Sequence, residues 1–186
     1  MVVKITIKVN KLKYKLELML SDRNILSLIK KKKISIIPFN ENNLGCASID
    51  LSLSDLFLKY TKRIDTQSNK FSFIKFKTKK LILKPGEFIL GMTSEKVKLT
   101  SKYFGFIETR GNFSRAGISI TCDDGHIDPG ANGHITLEIQ NKNTVDIILY
   151  AGDLICQLFF FLLSSSPKKL YSGKYSKQQE PREFLP

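Results

Sequence analysis

The sequence has no tryptophan, only two histidines and three cysteines among 186 residues. Cys46, Cys122 and Cys156 are far apart and odd in number, which argues against a disulfide framework and favours a reducing cytoplasm. No stretch approaches the ~20 apolar residues that a membrane span needs, because Gln157 interrupts the apolar run at 154–163. The N-terminus alternates lysine with apolar residues, unlike the continuous apolar core of a signal peptide. The sequence therefore predicts a cytoplasmic protein without a membrane anchor.

Several catalytic signatures are also missing. There is no Walker A loop, no Gly-x-Ser-x-Gly elbow and no Cys-x-x-Cys pair. A zinc deaminase needs a His or Cys and then Pro-Cys-x-x-Cys to hold the metal that activates water. His126 and His134 are the only histidines, so this zinc site cannot be built. Any water activation must come from a carboxylate.

Positive charge is abundant, with 30 Lys and Arg against 17 Asp and Glu. A net charge of +13 invites a nucleic-acid interpretation. The lysines, however, concentrate in the first 33 residues and at 75–84. This distribution favours solvated faces together with a polyanionic small ligand, and argues against nucleic acid as a partner. Apolar residues form 42% of the chain, which is sufficient for one compact domain.

The pattern of apolar residues predicts mostly strands. Strict alternation at 2–18 predicts a β-hairpin, and Ser21 is a natural N-cap for a short amphipathic helix. Gly, Asn and Asp clusters then separate strands at the spacing of a β-sandwich or barrel. These strands are expected at 34–37, 47–53, 71–83, 88–99, 104–109, 117–122, 134–140, 146–150 and 154–163. The organisation predicted is an N-terminal hairpin extension (1–18), a β domain (19–165) and a flexible C-terminal arm (166–186).

The segment 106–141 carries the candidate chemistry. A basic, glycine-bounded turn at 110–117 offers arginines and close-approaching backbone N–H groups to phosphate, although surface solvation is the commoner role of such arginines. Asp128 lies in an Ile-Asp-Pro-Gly turn and has either a structural role, which the residues alone favour, or a role as ligand to a sugar or water. Glu138 lies mid-strand, and is either on an exposed face or a partly buried general acid and base with a raised pKa.

Taken together, these residues resemble the dCTP deaminase and dUTPase superfamily, on the dCTP deaminase side. The resemblance extends from Met19 to about Gln179. The family's opening helix and strand are matched by MLSDRNILSLIKKKKISIIPF, and its first motif by GCASIDLSLSDLF. The stretch before the second motif is matched by LKPGEFILGMTSEKVKLT, and the third motif by GHIDPGANGHITLEIQN. The closing strand and C-terminal lid are matched by AGDLICQLFFF and YSGKYSKQ.

This resemblance implies a mainly β protein, a distorted β-barrel or jelly roll of the dUTPase-like type with a short N-terminal helix. It implies a homotrimer with active sites between subunits and a pyrimidine nucleoside triphosphate as substrate. Mg²⁺ would be carried by the triphosphate, so the protein needs no metal cage of its own and no zinc.

The resemblance also implies roles for individual residues. Glu138 would deprotonate water for attack at C4 of cytosine and pass the proton to N3 and the leaving ammonia. Arg115 of a neighbouring subunit would contact phosphates, and Asp128 would lie near the deoxyribose. The further substrate-binding candidates are Arg110, Asn112, Ser114 and Asp123 in the second motif and the approach to the third, and Tyr171, Lys174 and Gln178 in the arm.

Two departures from the family pattern keep alternatives open. The usual second motif, Gly-Arg-Ser-Ser-x-x-Arg-x-Gly, here runs from Thr109 to Gly117 and lacks both serines. Asp123 and Asp124 add carboxylates that would repel a triphosphate unless they point away or hold a cation. The leading hypothesis is deamination of a dCTP-like nucleotide, with or without further hydrolysis to dUMP. The alternatives are a dUTPase-type pyrophosphatase, with Asp128 activating water, and a non-catalytic trimeric nucleotide-binding protein.

Overall fold

The computed structural model describes residues 19–68, 70–122 and 124–185. The predicted N-terminal hairpin and the candidate Asp123 lie outside the described residues. The described part of the chain begins with a helix, α1 (Asp22–Lys30), that follows Ser21 as predicted. Ser21 occupies the N-cap position without a side-chain cap bond, and the Asp22 carboxylate instead accepts from the Arg23 backbone N–H at 2.7 Å. Ile25 anchors the helix in the core, where it is fully buried.

The described part of the chain contains twelve strands and a second short helix. The strands are β1 (Ile34–Ile37), β2 (Ser48–Ser52), β3 (Leu56–Tyr60), β4 (Phe73–Lys77), β5 (Lys80–Leu83), β6 (Phe88–Leu99), β7 (Tyr103–Thr109), β8 (Ile118–Ser119), β9 (His126–Ile127), β10 (Asn132–Asn141), β11 (Ile147–Tyr150) and β12 (Leu154–Leu162). The second helix, α2, spans Gly111–Arg115 between β7 and β8.

These strands form three sheets that enclose one apolar core. The largest has the order β4-β3-β6-β10-β8, with β1 also paired to β6. The second has the order β2-β12-β7-β9, and β11 pairs with β5 in a small third sheet. The core contains apolar side chains from all of them, and many are β-branched or aromatic residues, which favour extended backbone. The predicted mainly β, barrel-like architecture is confirmed.

The antiparallel pair β6–β10 positions the candidate site. Leu137 and Ile139 are fully buried, and they lie opposite Gly91 and Ile89 in the register. A Cβ on Gly91 would come within 2.8 Å of the Ile139 side chain, so the absence of a side chain there allows the close packing. Because side chains alternate along a strand, Glu138 faces the opposite side of the sheet, opposite Leu90.

The structure corrects several sequence-based assignments. The run 71–83 divides into β4 and β5, and the expected strand at 117–122 is reduced to the two residues of β8. The strand β3 was not predicted, and residues 111–115 of the presumed turn form α2. Short strands whose pairing is set by distant partners leave little local signal. No helix of the described chain is long and apolar enough to cross a membrane.

The alternation on β10 yields a stability prediction. Ile139→Ala removes a fully buried side chain and should lower the free energy of unfolding by about 2–5 kcal/mol. Ile74→Ala is the matched control, because Ile74 is half exposed on β4 and its loss should cost about 0.5 kcal/mol or less. Urea denaturation at one fixed protein concentration measures both changes. Equal losses for the two variants would contradict the assignment of Ile139 to the core.

Candidate active site

A cavity of about 700 Å³ lies between β10, the 124–128 segment and the C-terminal arm. Its size is within the usual range for small-molecule sites, about 300–1,000 Å³. The cavity wall from the barrel includes Phe88 and Leu90 of β6 and Thr136 and Glu138 of β10. An apolar wall with a carboxylate in it suits a ligand that combines a flat base with polar edges.

Glu138 is half-buried at the cavity wall and is held by its own backbone. Its N–H donates to the Ile120 carbonyl at 2.8 Å, and its carbonyl accepts from the Cys122 thiol at 3.2 Å. A parallel bridge to Thr121 continues this pairing. The segment 120–122 therefore pairs with β10 on the edge away from β6. Glu138 is half-buried at the cavity wall rather than on an open face, and its role as general acid and base stays a prediction.

Tyr60 is a cavity residue that the sequence did not reveal. Burial raises the pKa of its phenol, and the charges of Glu183 and Glu138 add to the rise, while a hydrogen bond from the Phe184 N–H acts against it. The phenol therefore keeps its proton at neutral pH. Its oxygen accepts from the Phe184 N–H at 2.6 Å, so its own proton can be donated to another group. No local motif marks Tyr60, since it closes a strand that the sequence did not predict.

Asp128 forms the predicted turn, and its role as a ligand to a sugar or water stays a prediction. Its carbonyl accepts from the Ala131 N–H at 3.0 Å, closing a turn in which Gly130 has φ 96°. The residue is also half-buried and lines the cavity. Asp124 and His126 lie nearby at the cavity wall, where the Asp124 carboxylate contacts the imidazole Nδ1.

The C-terminal arm lies over this cavity. Tyr171 and Gln178 line it, and the Tyr171 N–H donates to the Pro129 carbonyl at 3.0 Å. Lys174 is exposed and donates from Nζ to the Leu185 carbonyl at 3.3 Å, outside the cavity lining. The end of the arm packs on the barrel through an edge-on contact of Phe184 with Phe71. Flexibility of the arm remains a prediction.

A second anchor of the arm is electrostatic. Lys75 Nζ contacts the Glu180 carboxylate at 2.8 Å, and this hydrogen bond and charge lower the pKa of Glu180. A lowered pKa in the docked state means that the contact favours docking above the ordinary pKa of a glutamate and is lost as the pH falls through the lowered value. Both groups are partly exposed, so salt should weaken the contact.

The basic turn at 110–117 lies outside the cavity that Glu138 lines. Arg110 forms an ion pair with Asp50 at 2.9 Å, and Arg115 is exposed with one N–H directed to the Gly111 carbonyl at 3.2 Å. Asn112 is exposed on α2. Ser114 lines a second cavity of about 430 Å³, together with Lys142. Of the described residues, none from this turn lines the cavity of Glu138.

Thr136, Arg182 and Glu183 also line the first cavity and were not predicted. Thr136 could have been identified, because it shares a strand face with Glu138 at a spacing of two. Arg182 and Glu183 lie near the C-terminus in a segment without periodicity, so the sequence carried no signal for them. Across residues 19–68, 70–122 and 124–185, no three His, Cys, Asp or Glu side chains form a cluster that could hold a metal ion.

The protein is a distorted β-barrel, and its C-terminal arm covers a cavity that is lined by carboxylates. This arrangement is typical of the dUTPase-like fold. Residues 19–163 match the family model described as dCTP deaminase-like, and the chain belongs to this family. The dUMP-forming dCTP deaminase of Hydrogenobaculum sp. is 42% identical over 168 residues, covering 87% of this chain and 92% of the relative. The dUMP-forming dCTP deaminase of Dictyoglomus thermophilum is 35% identical, covering 88% and 92%.

Solved structures agree on the fold. The 2'-deoxycytidine 5'-triphosphate deaminase from Agrobacterium tumefaciens superposes with a TM-score of 0.63 at 17% identity. The match covers 80% of this chain but only 49% of that longer chain. A dUTPase mutant from phage phi11 of S. aureus gives a TM-score of 0.50 at 15% identity, with 77% and 99% of the two chains covered.

Gly133 provides a test of how the arm is seated. A Cβ at this position would lie 2.6 Å from the Gln178 nitrogen and 2.8 Å from its carbonyl oxygen. Gly133→Ala should therefore displace the arm and accelerate tryptic cleavage at Lys174 and Lys177 by about tenfold or more. Gly45→Ala is the control, because its Cβ would meet only Ser48, at 3.3 Å or more. Cleavage of Gly133→Ala at the wild-type rate would contradict the observed docking.

Proposed function

We propose that the protein is a dCTP deaminase of the dUMP-forming type. Overall, one dCTP and two waters would yield dUMP, pyrophosphate and ammonia. The observation that carries the proposal is the position of Glu138, on the wall of a cavity that the chain's own arm covers. Relatives that span nearly the whole chain, and that are named for this reaction, support the same conclusion.

In this proposal Glu138 acts as general base and then as general acid. It takes a proton from water, whose oxygen adds to C4 of cytosine. Glu138 gives that proton to N3 and then carries the proton of the new C4 hydroxyl to N4. The C4–N4 bond breaks, ammonia leaves and C4 becomes the carbonyl of uracil. A covering arm would exclude bulk water from this exchange. Asp128 contacts the deoxyribose, and Tyr171 and Gln178 contribute contacts from the arm.

The charge of the cavity supports an active site shared between subunits. Its described lining has four carboxylates, Asp124, Asp128, Glu138 and Glu183, against the two cations Lys177 and Arg182. Such a lining suits a neutral base and sugar but repels a triphosphate. Arg115, with Asn112 and Ser114, would meet the phosphates from a neighbouring copy in a homotrimer, assisted by Lys174 of the arm. The ion pair with Asp50 leaves Arg110 a supporting role in holding this turn.

In this proposal, Mg²⁺ is bound to the triphosphate and reaches the site with the nucleotide. Magnesium bound to phosphate oxygens needs few protein ligands and keeps several waters. The carboxylates Asp124 and Asp128 at the cavity wall are compatible with those waters. The free thiols of Cys46, Cys122 and Cys156 are compatible with action in the cytoplasm.

A second candidate is a trimeric nucleotide-binding protein without turnover. The observation that favours it is the second motif, in which Gly111 and Asn112 provide no hydroxyl for phosphate or for the orientation of Glu138. A dUTPase-type pyrophosphatase, with Asp128 activating water at the α-phosphate, would release pyrophosphate from dUTP without forming ammonia. Nucleotide binding without either product would identify the binding protein.

Glu138→Gln tests the chemistry. The amide keeps the size of the side chain but cannot take a proton, so ammonia release from dCTP should fall by about 10²- to 10⁴-fold with little change in nucleotide binding. Ammonia assays and calorimetry measure the two effects. Glu87→Gln is the control, because Glu87 pairs with Lys59 and does not line the cavity. Deamination by Glu138→Gln at the wild-type rate would exclude the proposed role.

Mixed trimers test the shared site. Arg115→Ala and Glu138→Gln should each be inactive alone. When the two variants are co-expressed in equal amounts, about one quarter of sites would combine an intact Arg115 with an intact Glu138 from the next subunit. Ammonia release should therefore return to roughly that fraction of wild type. If the mixture stays as inactive as its components, the two residues belong to one chain's site or do not cooperate.

A further inference from the structure

The last described residues return to the barrel after the arm has crossed the cavity. Pro181 is buried, and the three residues that follow it line the cavity. We call residues 181–185 the clasp. The end of β3 and the loop after it line the same cavity, through Tyr60, Ile64 and Thr66. The clasp is therefore part of the cavity wall, and it lies at the end of the chain instead of in the body of the barrel.

Two neighbouring backbone N–H groups tie the clasp in two directions. The Phe184 N–H donates to the phenol oxygen of Tyr60 at 2.6 Å, which ties the clasp to the barrel. The Leu185 N–H donates to the phenol oxygen of Tyr175 at 3.0 Å, which ties the clasp to the arm. The Phe184 ring adds an edge-on contact with Phe71, with ring centroids 5.5 Å apart. Because the clasp bridges barrel and arm, the arm can swing away from β3 only if one of these ties breaks.

The tie to Tyr60 has a different effect on rates than on affinity. It joins two groups of the protein, so it can form equally before and after a nucleotide binds. A contact that is equally strong in the two states does not change the dissociation constant. It does change the rates, because a ligand enters or leaves a covered cavity only while the cover is open. A stronger tie therefore slows association and dissociation by the same factor.

We propose that the clasp gates the cavity, and that Tyr60 is the positioning residue that holds the clasp to the barrel. The inference rests on the proposed function in that the nucleotide occupies this cavity. The phenol of Tyr60 acts through the backbone of Phe184 and not on the base. A gate that opens less often keeps bulk water from the reaction and slows the release of product.

Tyr60→Phe tests the gate, because phenylalanine keeps the ring and removes the oxygen that accepts from Phe184. Losing one neutral hydrogen bond should weaken the closed state about fivefold. The association and dissociation rate constants of a fluorescently labelled dCTP should both rise by about this factor, while the dissociation constant stays within about twofold. Rapid mixing measures both rates in the Glu138→Gln background, where no turnover interferes.

Tyr150→Phe is the matched control, because Tyr150 is half exposed on β11 and does not line the cavity. Its two rate constants should equal those of the background variant. For Tyr60→Phe, unchanged rates would overturn the inference. A higher dissociation constant with an unchanged association rate would also overturn it, since that result would mean that the phenol contacts the nucleotide directly.

Substitutions at Phe184 separate the tie from any other effect of Tyr60. Phe184→Ala retains the backbone N–H, so adding Tyr60→Phe should still raise both rate constants. Phe184→Pro has no N–H, so adding Tyr60→Phe should change nothing further. Both backgrounds lack the aromatic ring, so they differ in the donor that the tie needs. An equal additional effect of Tyr60→Phe in the two backgrounds would contradict the assigned role.

A measurement without nucleotide keeps the inference apart from the proposed function. Backbone hydrogen exchange in the arm at 171–180 should be about fivefold faster in Tyr60→Phe, relative to exchange in β6. Unchanged exchange in the arm would overturn the role of Tyr60 even if dCTP is deaminated. An absence of ammonia from the wild-type protein with dCTP would refute the proposed function, while exchange in the arm still decides whether Tyr60 holds the clasp.

Discussion

The pairing of β6 with β10 is the constraint on which the site depends. Leu137 and Ile139 are fully buried against β6 and the core, and this fixes which face of β10 is inside. A slip by one residue would bury Glu138 and expose both apolar side chains, at a cost of several kcal/mol. Glu138 thus faces the cavity because burial of Leu137 and Ile139 fixes the opposite face of β10 in the core.

The arm depends on the same strand. Its docking uses the absence of a side chain at Gly133, the backbone N–H of His134 and the hydroxyl of Thr136, which are consecutive or near-consecutive positions of β10. One strand therefore supplies the proposed general base and the surface that receives the cover. Any shift of β10 would move both together, which keeps the proposed general base and the covering arm in register.

The sequence predicted the parts of the fold that have a local period. The helix after Ser21 and the long strands β6, β10 and β12 follow from hydrophobic spacing, and the family motifs gave the barrel. Placing Arg115 and Glu138 on separate surfaces required the three-dimensional structure, since they lie only 23 positions apart in the chain. Tyr60 and Arg182 join the cavity through long-range contacts that leave no pattern in the sequence. The need for glycine at position 125 also leaves no pattern in the sequence. A Cβ there would lie 2.5 Å from the Ile107 carbonyl oxygen, and only the packing reveals this restriction.

The altered second motif changes how a triphosphate would be held. Without hydroxyls at Gly111 and Asn112, the proposed contacts depend more heavily on the guanidinium of Arg115 and on cations of the arm. Such contacts are long-ranged and are screened by salt within about 10 Å at moderate ionic strength. In the proposed site, the carboxylate of Glu138 would act on the base at hydrogen-bond distance in a covered cavity, where salt has less influence. In the proposed site, affinity for the phosphates would therefore depend on the exposed α2, whereas the reaction at the base would depend on the covered face of β10.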